Sequence, residues 1–342
     1  MMKSGGFSKR DYLLFGAAAI CTFLICLCAG SVSISPRDTL AFLGRLMTNQ
    51  PLPEGNTTAI LLHVRLPRVI CAALIGASLS LSGAAMQGLL RNPLAEGSTL
   101  GVSAGAALGG VIAISMGIVI PWFPGGGTIL FAMLFAFLSL MLILGLAYRL
   151  DYSLTTSTII LIGVIFSMFA SSLLSLMITF AGEKMNAVIF WTMGSLADSS
   201  YRNALFVLAA LVVCGAFILR YSRELNAFAV GEDNARNIGI DVRRVKLAVM
   251  ISISALIGVC VSVGGTISFV GLVIPHITRF LTGPNHRKLL PACLFSGACF
   301  LMLADLVART LLSPRELPIG VVTSIIGAVV FVMIFYNMRK VR

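Results

Sequence analysis

Residues able to do chemistry are few in this chain, and they are scattered. The three histidines, His63, His276 and His286, stand far apart, so no histidine metal cluster is expected. The eight cysteines, Cys21, Cys26, Cys28, Cys71, Cys214, Cys260, Cys293 and Cys299, all fall in apolar runs, and none forms a C-x-x-C pair. Cysteine in such a setting packs as a small hydrophobe, so neither a disulfide framework nor a metal or cofactor site is expected. No G-x-x-x-x-G-K-[ST] phosphate loop and no H-E-x-x-H pair occurs. Polar residues gather instead in two connectors, 87–105 and 220–246. The first, QGLLRNPLAEGSTLGVSAG, is punctuated by Gly and Pro between long apolar runs. Irregular polar backbone survives at membrane depth only where protein or a water-filled path satisfies its N–H and C=O groups. This stretch is therefore a membrane-surface loop or the lining of a conduit, and both point to transport.

The elements that must position these residues are set by composition. The chain has 342 residues, 58% hydrophobic and 11% charged, with mean hydropathy +0.99. A soluble domain carries about 25% charged residues. The expectation is an all-α integral membrane protein in which 1–342 form a single transmembrane domain. A span needs about 20 apolar residues, and ten candidates lie near 12–33, 66–88, 97–119, 128–148, 155–180, 203–221, 246–265, 268–281, 288–311 and 317–337. The first is too long for the apolar core of a secretory leader, which runs to about 15 residues. The eighth is short and interrupted by Pro275, after Gly264, Gly265 and Gly271. A broken span points to a functional helix or to a structural kink.

The net charge of +12 would suggest nucleic acid in a soluble protein. Here the basic residues sit between apolar runs, which fits the positive-inside rule and no nucleic acid. Lys3, Lys9, Arg10, Arg91, Arg149, the basic residues of 220–246, Arg279, Arg287, Lys288, Arg339, Lys340 and Arg342 then share one side. Both termini are therefore expected in the cytoplasm. A faint internal echo pairs the second span, running into Arg91-Asn92-Pro93, with the eighth, running into Arg279 and Gly283-Pro284-Asn285. The link 220–246 cannot lie in hydrocarbon. Leu225, Phe228 and Ala229 are spaced as one helix face, and Gly231 and Gly239 bracket a second short helix. Two short amphipathic helices on the cytoplasmic face make a dock for a partner; a solvated surface loop is the plainer alternative.

Several long stretches resemble the FecCD family, the membrane permeases of ABC importers for ferric siderophores, haem and vitamin B12. They are VRLPR (64–68), GAAMQGLLRNPLAEGSTLGVSAGA (83–106), GEDNARNIGIDV (231–242), FVGLVIPHITRFLTGPNHRKLLP (269–291) and ADLVARTLLSPRELPIGVVTSIIGAVVF (304–331). The resemblance implies ten spans per subunit in the cytoplasmic (inner) membrane and a homodimer with the path on its two-fold axis. It also implies two separate ATPase subunits and an extracytoplasmic solute-binding protein, with this chain a non-catalytic subunit in contact with lipid.

The resemblance also assigns roles. Asn92 and Leu94 match residues near the cytoplasmic end of the path. Thr155 and Thr156 match the gate between spans four and five, with helix capping as the alternative. Glu232, Asp233, Ala235, Arg236 and Gly239 match the element that couples to the ATPase. Arg65, Arg68 and Arg309 match arginines that receive acidic residues of the binding protein, bidentate contact being natural to guanidinium. The alternatives are interfacial snorkelling for Arg65 and Arg68, and an ion pair one turn apart between Arg309 and Asp305. Gln87, Glu316 and Pro318 match family motifs without an evident role, and His276 is more simply structural than substrate-binding. An iron-siderophore chelate is the expected cargo, with haem, vitamin B12 or an oxyanion as alternatives. An ion-coupled secondary transporter is the rival class, but it needs recurring intramembrane carboxylates, and Asp305 alone stands out.

Overall fold

The computed structural model describes residues 6–340 apart from 33, 54, 124, 153 and 154; Lys3 and Arg342 of the topology argument lie outside the described residues. Among the described residues the chain is helical, with one isolated bridge between Ile120 and Phe123. α1 (Lys9–Cys28) begins at a capping box in which Ser8 and Asp11 satisfy each other's backbone N–H. α2 (Pro36–Met47) is a short amphipathic helix capped by Ser35, which no apolar run announced. α3 (Asn56–Ala59) passes through one π-helical turn (Ile60–Arg65) into α4 (Leu66–Leu89). α5 (Val102–Met116), α6 (Gly126–Leu150), α7 (Thr156–Phe180), α8 (Met185–Thr192) and α9 (Tyr201–Arg220) follow. The charged link forms α10 (Ser222–Val230) and α11 (Glu232–Asn237) before α12 (Val242–Gly264), α13 (Val270–Thr282), α14 (His286–Thr310) and α15 (Ile319–Lys340). Seven of these segments are long and apolar enough to cross a membrane, and three shorter apolar helices lie at Val102–Met116, Val270–Thr282 and Ile319–Ile334.

α4 is the axis of the bundle, packed by α9, α12, α13 and α14. Its sequence explains why. Gly76, Ser80, Gly83 and Gln87 recur at helical spacing, and small residues let backbones approach where no hydrophobic force drives association. A Cβ added at Gly76 would lie 2.2 Å from the Gly297 carbonyl oxygen on α14. One added at Gly83 would lie 1.9 Å from that of Gly271 on α13. The outer helices behave oppositely: Leu130, Phe137, Leu161, Phe169 and Val212 are exposed, apolar surface that only lipid or a partner subunit can cover.

The succession of elements repeats. α4 (24 residues) is followed by an irregular break, a short α5 (15), then α6 and α7 (25 each). α12 (23) is followed by a break, a short α13 (13), then α14 (25) and α15 (22). The repeat therefore sets α4 against α12, whereas the motif echo in the sequence paired the second span with the eighth, which is α13. Pro275 lies inside α13 without ending it.

Candidate functional site

The link 220–246 folds as two short helices because its apolar residues share a face. Leu225 and Phe228 on α10 and Ala235 on α11 are all 0% exposed. Gly231, at φ +146, turns the chain between the helices, and Gly239, at φ +87, ends the second. Asp241 then caps α12 by accepting from the Arg244 N–H. A polar clamp holds α10 to α14: Asn226 Oδ1 accepts from the His286 backbone N–H at 2.8 Å, and Asn226 Nδ2 donates to Asn285 Oδ1 at 2.9 Å. Val230 and Ile238 remain exposed. So do Asp233 and Arg236, whose 3.3 Å ion pair is open to solvent and worth little by itself. The result is an anchored ledge with a free outer face.

Glu232, at the start of α11, joins this ledge to the bundle. Its Oε1 lies 2.7 Å from Lys246 Nζ on α12, and the Lys246 side chain is 1% exposed. The same oxygen accepts from Thr156 Oγ1 on α7 at 3.3 Å. One carboxylate oxygen thus connects three elements, and it brings together two residues that the sequence assigned to separate tasks. Lys246 was legible only as one basic charge among many. Thr155, next to Thr156 in the chain, belongs to a local cluster instead: it occupies the N-cap position of α7 without a side-chain cap bond, and its N–H and hydroxyl both donate to Asp151 Oδ2.

Asn92 and Leu94 lie in the turn after α4. Arg91 takes a left-handed conformation (φ +49) that stops the helix. Asn92 Oδ1 then accepts from the Leu94 N–H at 2.9 Å, and the Leu94 side chain is exposed. The connector continues inward, where half-buried Glu96 lines a cavity of about 40 Å³ with Ser103, Cys260, Thr266 and Ser268. In the sequence nothing sets this carboxylate apart, because the connector between Pro93 and Gly97 reads equally as a surface loop and as the lining of a conduit.

At the opposite end of α4 the arginines expected to dock the binding protein make their bonds within the chain. Arg65, Arg68 and Arg309 are 3%, 6% and 4% exposed. Arg65 donates to the carbonyls of Leu27, Cys28 and Val32. Arg68 forks between Asp305 and the half-exposed Glu316, both at 2.9 Å. Arg309 Nε lies 3.4 Å from Asp305 without hydrogen-bond alignment, and its Nη2 donates to the Cys26 carbonyl. For Arg68 and Arg309 the physical reason is the 1% exposure of Asp305: a buried carboxylate draws in cations, because an unpaired charge there is costly. The pairing of Arg309 with Asp305 one turn earlier is thus present, but buried and shared with Arg68. Glu316, without evident role in the sequence, is the solvent-reaching member of this cluster. His276 packs edge-on to Phe280 at 5.5 Å between centroids.

Seven long apolar helices, three shorter ones and a charged ledge anchored beside them are the make-up of a multi-pass membrane protein. The chain belongs to the FecCD transport family, whose profile matches residues 18–337. It is 41% identical over 283 residues to the ABC transporter permease YvrB of Bacillus subtilis, covering 83% of this chain and 80% of that one. It is 36% identical to the molybdate import permease MolB of Haemophilus influenzae, covering 82% of each. To the vitamin B12 import permease BtuC of Klebsiella pneumoniae it is 36% identical over 95% of this chain and 94% of that one. Among solved structures, a metal-chelate type ABC transporter in an inward-facing conformation superposes with a TM-score of 0.84 at 32% identity, covering 96% of this chain and all of the other.

Proposed function

We propose that this chain is the non-catalytic membrane subunit of an ABC importer, moving an iron-chelate-sized solute across the cytoplasmic membrane with energy from a separate ATPase. The observation that carries the reading is the Glu232 junction. A ledge built to be gripped from outside is bonded, through one carboxylate, to the start of α7 and to the buried Lys246 of α12. Movement imposed on α11 must therefore be shared with α7 or break those bonds. In this reading the seven long and three shorter apolar helices supply ten spans, and both termini are cytoplasmic. Two copies of the chain enclose the path, two ATPases seat on their ledges, and a binding protein delivers solute to the other face. Asn92, Leu94, Thr155 and Thr156 line or gate the path, and Glu232, Asp233, Ala235, Arg236 and Gly239 form the coupling element. Because Arg65, Arg68 and Arg309 are engaged internally, we assign them to holding that outer end together rather than to direct docking.

Cargo selectivity resides in the binding protein. An iron chelate is our first choice, supported by the likeness to a metal-chelate transporter. An oxyanion is the second, favoured by the similarity to a molybdate permease. The test is reconstitution with the neighbouring ATPase in proteoliposomes. ATP turnover should rise when the cognate binding protein carries its solute, and Arg236→Glu should abolish that rise while the protein still inserts. Unaltered stimulation in Arg236→Glu would remove α11 from the coupling role.

A further inference from the structure

Arg279 on α13 carries a charge for which the described residues supply no opposite within 4.0 Å. Every ion pair within 4.0 Å among the described residues lies elsewhere. Its guanidinium is half-buried and donates from Nη2 to Gln87 Oε1 at 3.0 Å. That amide is itself fixed: Gln87 is 4% exposed, and its Nε2 donates to the carbonyls of Gly271 and Leu272, both at 3.2 Å. Gln87 therefore aims the guanidinium but cannot neutralise it. A cation withdrawn from water without a counter-charge is costly, and a protein that keeps one has a use for it.

Arg279 and Gln87 line a hollow of about 310 Å³, together with Arg91, Pro93 and Ala229. That is about ten times the ~30 Å³ a water occupies in the liquid, enough for a whole side chain. Arg91 adds a second unpaired cation, held at the rim by its left-handed turn. Ala229 belongs to α10, so whatever seats on the ledge also covers the hollow. We propose that this hollow is an anion socket that receives an acidic side chain of the ATPase partner, with Arg279 gripping the carboxylate through its planar fork. The socket rests on the reading of α10 and α11 as the ATPase ledge, and it gives Gln87 the task of a positioning residue.

The test is titration of the ATPase from the same operon onto the full-length permease in nanodiscs of neutral lipid, at low and moderate salt. Arg279→Gln should weaken binding at least tenfold at low salt and flatten the salt dependence. The thermal midpoint of the ATPase-free permease should stay the same or rise, because the free chain loses an unpaired charge. Arg91→Ala, at an exposed site, should weaken binding about threefold. In Arg279→Lys, zero-length carbodiimide coupling should join the new amine to an ATPase carboxylate as an amide, with loss of water, and peptide mass spectrometry should locate it. Equal affinity of Arg279→Gln and the parent overturns the socket. So does a fall in thermal midpoint that accompanies the loss of affinity, since that marks a structural residue. An effect that appears only when anionic lipid is added overturns it in favour of a headgroup. If the parent itself binds no ATPase, the ledge reading fails, and the socket with it.

Discussion

The Asp305 cluster and the Glu232 junction differ in how much the chain depends on them. Asp305 faces two arginines at 1% exposure. Asp305→Asn would leave Arg309 with a carbonyl as its remaining partner, and breaking a buried pair from one side costs about 3–5 kcal/mol. We predict a large drop in thermal midpoint for Asp305→Asn, read by a thermal shift in detergent, whereas Glu316→Gln, at the solvent edge, should move it little. Lys246→Met is a milder change, because Glu232 reaches solvent. Its cost should be about 2 kcal/mol, but its functional effect should be larger, since Glu232 would lose its ion pair to α12 and keep its bond to Thr156. Transport per ATP hydrolysed should fall several-fold in Lys246→Met while ATPase binding persists. Retained coupling would show that the Glu232 junction is only structural.

At the scale of elements, the decisive feature is backbone contact. α4 meets α13 and α14 at glycine positions with no room for a side chain. Gly83→Val would drive a side chain into the Gly271 carbonyl, and overpacking of this kind costs about 1–3 kcal/mol or more. We predict poor insertion or loss of a monodisperse peak on gel filtration. Gly145→Val, where nothing lies within 4 Å of the added Cβ, should behave as the parent. The sequence made the existence of α4 plain but not its central place, because an apolar run reads alike whether it faces lipid or protein. The pattern of small residues was the available signal. It also understated α13: Pro275 suggested a break, yet the helix continues around it, as packed neighbours allow in membrane helices.

For the whole molecule, the ten spans we propose require both ends on one side. Reporter fusions active only in the cytoplasm should work at both termini, and a periplasm-only reporter should be silent at both; opposite results at the two ends would remove the ten-span arrangement. The amino-acid sequence by itself determined that the chain is helical, lives in a membrane and carries an amphipathic ledge at 220–246. Those properties follow from hydropathy and helical period, which are local. It also located the long apolar helices and the α10–α11 link, because hydropathy and neighbouring Gly, Ser, Asp and Pro are local signals, but it gave no sign of the short helices α2, α3 and α8. Only the tertiary structure decided which charges meet. Asp305 lies 237 positions from Arg68, Gln87 lies 192 from Arg279, and Thr156 lies 76 from Glu232. Sequence spacing carries no information about such pairs. Arg68 and Arg309 turn inward to a carboxylate that the fold brings to them, whereas Arg65 is held by the backbone carbonyls of Leu27, Cys28 and Val32.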